Sequence, residues 1–168
     1  MAQMAAECLD CDVDNIITQS VDTDASPYDT GSYASATTYV TGMAVVKTCE
    51  TLRKKICERG AEYLRCSPDD VEFDGEKVVN LKTKEEITRK EIGNKVMCSS
   101  NAPLSATEAF SSPVSPPPFM VGIAEVEIDK ETGVVEPIDY AAVVDCGTVV
   151  NPNLARVQTE GGIAQGIG

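Results

Sequence analysis

Four of the seven residues from Ser112 to Pro118 are proline. Each proline fixes φ, removes a backbone donor and biases the preceding residue away from helix, so no helix or central strand passes through this stretch. It reads as a polyproline-like connector at 112–118, a sub-boundary within what is otherwise one fragment over 1–168. A chain of 168 residues buries about 70% of its unfolded surface, enough for a real core.

Upstream of the prolines, Met1, Met4, Ala5, Cys8 and Leu9 recur at helical spacing. A domain that starts inside a helix, and stops at Gly168 in mid-pattern, is expected to be a piece of a longer polypeptide. Ile16–Val21 reads as a strand, and Asp22–Ser35 as a polar loop. From about Ser35 to Arg59, Val40, Ala44, Cys49 or Thr48, Leu52 and Ile56 recur at three- and four-residue spacing, which predicts one long helix with Gly60 as its C-cap. Asp74-Gly75 inside Val71–Val79 predicts a hairpin, and Thr88 with Glu91 a capping box for a helix towards Met97.

Downstream, Met120–Asp129 and Val134–Asp145 are two long β-type segments joined by a turn at 130–133. Glu125 and Glu127 alternate with Ala124, Val126 and Ile128, which predicts one wet face. Asn151-Pro152 opens a last helical stretch. The expected fold class is α+β, a two-layer domain with a mixed β-sheet and packed helices.

Twenty-seven acidic residues against 14 basic ones give a net charge of −13, which argues against a nucleic-acid partner, because a polyphosphate backbone is bound by clustered Lys and Arg and no such cluster exists. The longest basic run, Arg53–Lys55, reads as a solvated helix face. There is no histidine, so Ser-His-Asp and Cys-His catalysis are excluded, and the commonest transition-metal ligand is missing. No stretch approaches a transmembrane span and the N-terminus has no signal-peptide pattern, so no membrane partner is expected and the expected location is cytoplasmic. Seven cysteines, at 8, 11, 49, 57, 66, 98 and 146, form no framework and read as reduced thiols. Cys8 and Cys11 make a lone C-x-x-C without a second pair, so no metal site is assigned.

Three segments are rich in small and uncharged polar residues. Gly31–Thr38 leads into the long helix, where free N–H groups, the helix dipole and the Ser35 and Thr37 hydroxyls suit an anionic group; ordinary N-capping by Ser35 explains the same residues. The second segment is Asp145–Pro152. The third, Gln158–Gly168, holds four glycines in eight residues, which predicts a close approach of something to that backbone. Gln158 and Gln165 add neutral donors and acceptors.

Asp-Cys-Gly-Thr-Val-Val-Asn-Pro (145–152) with Gln-Thr-Glu-Gly-Gly-Ile-Ala-Gln-Gly-Ile-Gly (158–168) resembles the D-x-G-x-x-x-N-P and G-Q-x-E-G-x-x-x-Q-G-x-G pattern of molybdenum hydroxylases. Ser32–Val45, Pro116–Phe119 and Ala124–Gly133 resemble further segments of the same large, molybdopterin-binding subunit of the xanthine dehydrogenase and aldehyde oxidase type. The resemblance runs over essentially the whole chain. It implies oxidative hydroxylation of a purine-type heterocycle or an aldehyde with oxygen from water. It further implies that Gln3, Ala34, Ser35, Thr37 and Gln158 bind a molybdenum-molybdopterin cofactor, with segments 32–38 and 158–162 converging on it. The family's general base, a Glu, would lie beyond Gly168, so no catalytic residue falls within the chain. The 2Fe-2S and FAD groups would sit on other domains or subunits, and the partners would be the rest of the large subunit, those electron-transfer units and a small-molecule substrate. The fragment alone would retain no cofactor and would be inactive. Ala36 stands where many relatives have Arg, and Val157 where Gly is usual. The alternative is a non-catalytic acidic scaffold that keeps the fold.

Overall fold

The structure, a computed structural model, describes residues 1–19, 22–99, 103–114 and 117–168. They form two compact units, Met1–Pro113 and Val114–Gly168. The class is α+β, as the sequence predicts. The strands pair antiparallel throughout the described residues, in two separate sheets rather than one mixed sheet.

The first unit is organised by a 28-residue helix, α2 (Thr37–Leu64). A short helix, α1 (Ala2–Leu9), lies along its N-terminal half, with the Met4 sulfur where a Cβ on Gly42 would be, at 2.7 Å. Strands β1 (Val71–Phe73), β2 (Lys77–Asn80) and β3 (Glu86–Thr88) make a three-stranded sheet, and α3 (Arg89–Met97) follows directly. The core is Phe73, Val78, Ile87, Ile92 and Val96, with Ile56, Cys57, Tyr63 and Leu64 of α2 packed against it.

Gly60 does not end α2. It is buried in the helix interior, where an added Cβ would lie 2.6 Å from Val78 Cγ1. The missing side chain lets β2 press against the helix. The helix runs on for another turn, to Arg65, whose left-handed φ of 54° forms the C-cap. Ile16–Gln19 has no regular structure where a strand is predicted, and Ser20 and Val21 lie outside the described residues.

The Asp74-Gly75 hairpin forms with Phe73 opposite Val78. Asp74 Oδ1 accepts from Lys77 N at 2.8 Å and Glu76 N at 3.0 Å, and these amides hold its carboxyl below the usual range. At Gly75, φ is +94°, and an added Cβ would collide with the Asp10 carbonyl oxygen, so this turn is tucked against the end of α1. The capping box is present: Glu91 N donates to Thr88 Oγ1 at 3.2 Å, and the Glu91 carboxylate accepts from Thr88 N at 2.9 Å.

Arg53 departs from the solvated-face reading. Its guanidinium donates to Cys8 O at 3.0 Å and Phe73 O at 2.7 Å and stacks over the Phe73 ring, joining α1, α2 and β1. Beyond α3, residues 103–110 run back along α2. Lys55 Nζ donates to Ser105 O, Thr51 Oγ1 to Glu108, and Phe110 meets Tyr39 edge-on and Lys47 face-on.

The second unit holds a long hairpin, β4 (Phe119–Ile128) and β5 (Val135–Asp145), and a helix, α4 (Pro152–Ile167). The Gly133 φ of +73° and the Asp129 carboxylate, which accepts from Glu131 N and Thr132 Oγ1, close the turn. A bulge lies between Glu125 and Val126, opposite the segment that holds Pro137. Every residue of β4 is exposed, while on β5 Tyr140, Ala142 and Val144 are half-buried in alternation with exposed neighbours, so the two faces differ in exposure on β5 alone.

Candidate functional site

The candidate residues lie in both units, and each group is described by itself. In the first unit, the loop before α2 makes two consecutive left-handed turns, Ala34 at φ 50° and Ser35 at φ 57°. Such values are costly for side-chain-bearing residues. The loop is supported at both ends: Gly31 N donates to Asp29 Oδ1 at 2.6 Å, and Ala36 N donates to Tyr33 O at 3.0 Å.

Ser35 is not the N-cap. An N-cap residue takes extended backbone so that its side chain can turn back on the helix, whereas Ser35 is left-handed. Ala36 holds the position, and its methyl group cannot accept from the amides of the first turn. Thr37 is the first helical residue, and its hydroxyl is hydrogen-bonded to the Ser32 hydroxyl. Ser32 is thus a positioning residue that the sequence does not single out.

Gln3 is exposed on α1 and borders an open cavity of about 350 Å³ with Ala6, Glu7, Asp10, Cys11 and Val13. Because Met4 seats on Gly42, α1 is brought to the half of α2 that begins at Thr37. Burial first, then Glu50 and Glu7, pushes the Cys8 thiol up, and burial does the same for Cys49. All seven cysteines are free, and among the described residues no cluster of three or more Cys, Asp or Glu is arranged to hold a metal ion.

In the second unit, Asp145 Oδ1 accepts from Gly147 N at 2.9 Å, and Gly147 turns with φ +72°. Asn151 caps α4 by accepting from Leu154 N at 3.1 Å, and Pro152 fills the first helical position, where it has no donor to lose. Gln158 and Gln165 are exposed along this helix. Nothing packs on its glycines as the sequence predicts: a Cβ added at Gly161, Gly162 or Gly166 meets no described atom within 4 Å. The helix also has no buried residue.

Each unit thus carries hydroxyls and side-chain amides at its candidate segment, and Arg156, on the same helix as Gln158, is paired with Glu160. Such hydroxyls and amides hold an anionic, heterocyclic ligand by directed hydrogen bonds.

A family model, the molybdopterin cofactor-binding domain, matches residues 1–168, and the chain belongs to that family. It is 34% identical to XdhD of Escherichia coli K12, named a probable hypoxanthine oxidase, over all of this chain and 18% of that protein. It is 30% identical to the carbon monoxide dehydrogenase large chain of Afipia carboxidovorans, over 98% of this chain and 21% of that one. The solved Cu,Mo-CO dehydrogenase in its carbon monoxide reduced state superposes with a TM-score of 0.72 at 28% identity, covering 96% of this chain and 21% of that one. The chain therefore spans about a fifth of the length of these relatives. The named relatives are oxidoreductases. Among the described residues no helix is long and apolar enough to cross a membrane.

Proposed function

We propose that this chain is the molybdopterin-contacting portion of a molybdenum hydroxylase that oxidatively hydroxylates a purine-type heterocycle or an aldehyde. The whole-chain match to the cofactor-binding family carries this reading. The residues fit the group. A loop bent by Ala34 and Ser35 runs into a helix start whose N-cap is an alanine, which suits an anionic phosphate held by amides. Backbone groups of Ala34 and Ser35, the Thr37 hydroxyl held by Ser32, and the amides of Gln3 and Gln158 would hold the pterin and its phosphate.

When bound, the cofactor supplies oxygen-atom insertion from water and accepts two electrons. This chain's part is to bind and orient. Its uncharged donors fix the cofactor without placing a mobile cation beside the reacting centre, and the general base, a Glu, is contributed from outside the 168 residues. The 2Fe-2S and FAD groups reside on other domains or subunits, consistent with a relative named as a large chain. The free thiols support a reducing, cytoplasmic setting.

Two measurements test it. In the assembled enzyme, Gln158→Ala and Thr37→Val should each lower the pterin occupancy read by the fluorescence of oxidised pterin, since a lost hydrogen bond of about 1 kcal/mol weakens binding about fivefold. The 168-residue chain alone should carry no molybdenum and turn over neither xanthine nor an aldehyde with a dye acceptor, because loss of the base alone costs about 10²- to 10⁴-fold. Stoichiometric molybdenum in the isolated chain, or full occupancy in both variants, overturns the assignment.

A further inference from the structure

One face of the β4–β5 hairpin is divided into two halves. Strand alternation puts Phe119, Val121, Ile123, Glu125 and Glu127 on one side of β4. Opposite them on β5, Asp145 faces Phe119 at the open end, Val143 faces Val121, Ala141 faces Ile123, Asp139 faces Glu125 and, beyond the bulge, Glu136 faces Glu127. Apart from Asp145 at its edge, the half away from the turn is apolar and bare, with Phe119, Val121, Ile123 and Val143 at 70, 69, 69 and 77% exposure. The half towards the turn is two pairs of directly opposed carboxylates. None of the four makes an ion pair among the described residues, and the only cation from Phe119 to Asp145 is Lys130, in the turn.

Both halves are unfavourable alone. Like charges directly across a ladder destabilise it, and a two-stranded ribbon with bare apolar side chains is marginal in water. A surface that sets an apolar row beside a cationic group removes both defects. A second copy of this chain does not offer one: its net charge is −13, and this face brings five carboxylates and no cation.

We propose that this face is the docking surface for a segment of the molybdenum-hydroxylase large chain that lies outside these 168 residues. That segment lays apolar side chains on Phe119, Val121, Ile123 and Val143 and brings Lys or Arg to the Glu125–Asp139 and Glu127–Glu136 pairs. The source is argued from length, since the chain spans only 18% and 21% of two relatives that it matches nearly end to end. The inference rests on the large-chain reading of the protein.

Hydroxyl-radical footprinting, read by mass spectrometry, compares the 168-residue chain with the same residues in the complete large chain. Labelling at Phe119, Val121, Ile123 and Val143 is expected to fall at least tenfold in the complete chain. The double variant E125K/E127K, in which each lysine faces an acid across the ladder, should leave the circular dichroism of the 168-residue chain unchanged yet restore most of the labelling in the complete chain. If it misfolds, the mirrored pair E136K/D139K serves. Equal labelling in the two wild-type samples overturns the inference, as does a closed face indifferent to charge reversal. Pterin content measured on the same samples separates the two proposals: a closed face without pterin upholds the docking and sinks the assigned function, and pterin with an open face does the reverse.

Discussion

The two units differ in what holds them. In Met1–Pro113, Val78 and Ile92 are fully buried, Phe73, Ile87 and Val96 nearly so, and the buried Asn80 side chain accepts from Lys82 N and Thr83 N. In Val114–Gly168 no described residue is buried, although its strands are the longest in the chain and its helix is properly capped. Good local structure is therefore separable from burial. Turns, caps and alternation shape a hairpin or a helix, but only water-excluded apolar area gives it a large free energy.

The sharpest test of this contrast is a pair of truncations. Ile92→Ala should cost about 2–5 kcal/mol in urea unfolding followed by circular dichroism, as expected for a cavity in a packed core. In the isolated chain Val121→Ala should change stability by less than about 0.5 kcal/mol, because its side chain already faces water. Equal losses would erase the distinction.

Gly60→Ala comes next. Alanine favours a helix interior by about 1 kcal/mol, but its methyl would press on three Val78 atoms at 2.6–2.8 Å. The expected net result is a loss of about 1–2 kcal/mol with a lower melting temperature. A gain would mean that β2 can retreat from α2.

Removing one cap should matter less. Thr88→Ala deletes the hydroxyl that accepts from Glu91 N and should cost about 1 kcal/mol, confined to the first unit. Hydrogen exchange of the α3 amides reads it directly.

The smallest effect is with pH, and it spans both units. Amide donors first, from Lys77 to Asp74 and from Thr88 to Glu91, and the Thr132 hydroxyl at Asp129, hold these carboxyls below their usual range. Their stabilisation is fully present above the ordinary carboxylate pKa of about 4 and is lost as pH falls through the lowered values. Acid titration of the T132V variant should weaken this dependence at the 129–134 turn, where the Glu131 amide still holds Asp129, and leave the first unit unchanged.

The sequence disclosed most where structure is set within a few residues. The Asp74-Gly75 and Gly133 turns, the Thr88–Glu91 box and the β4–β5 pairing are all legible, because each depends on a local hydrogen bond or a two-residue period. Features set by a distant partner are not. Gly60 looks like a helix end until Val78 is seen against it, and Arg53 looks solvated until its two carbonyl acceptors are known. Strand β3 carries a single buried apolar residue, Ile87, too little for a pattern. The candidate site is legible chiefly through family resemblance. Residue types alone suggest an anion at the start of α2, but not the double left-handed bend at Ala34 and Ser35.

Arg53 also sets an order of assembly. Its two acceptors lie 45 residues before it and 20 residues after it in the chain. During synthesis Cys8 is available long before the guanidinium, but Phe73 is made some 1–4 s later at about 5–20 residues per second. Through that interval α1 is held on the growing α2 by the Arg53–Cys8 half of the clasp and by apolar contacts such as Met4 against Gly42. The polar clasp closes when β1 arrives, so the firm attachment of the N-terminal helix is a late event, timed by the emergence of the sheet.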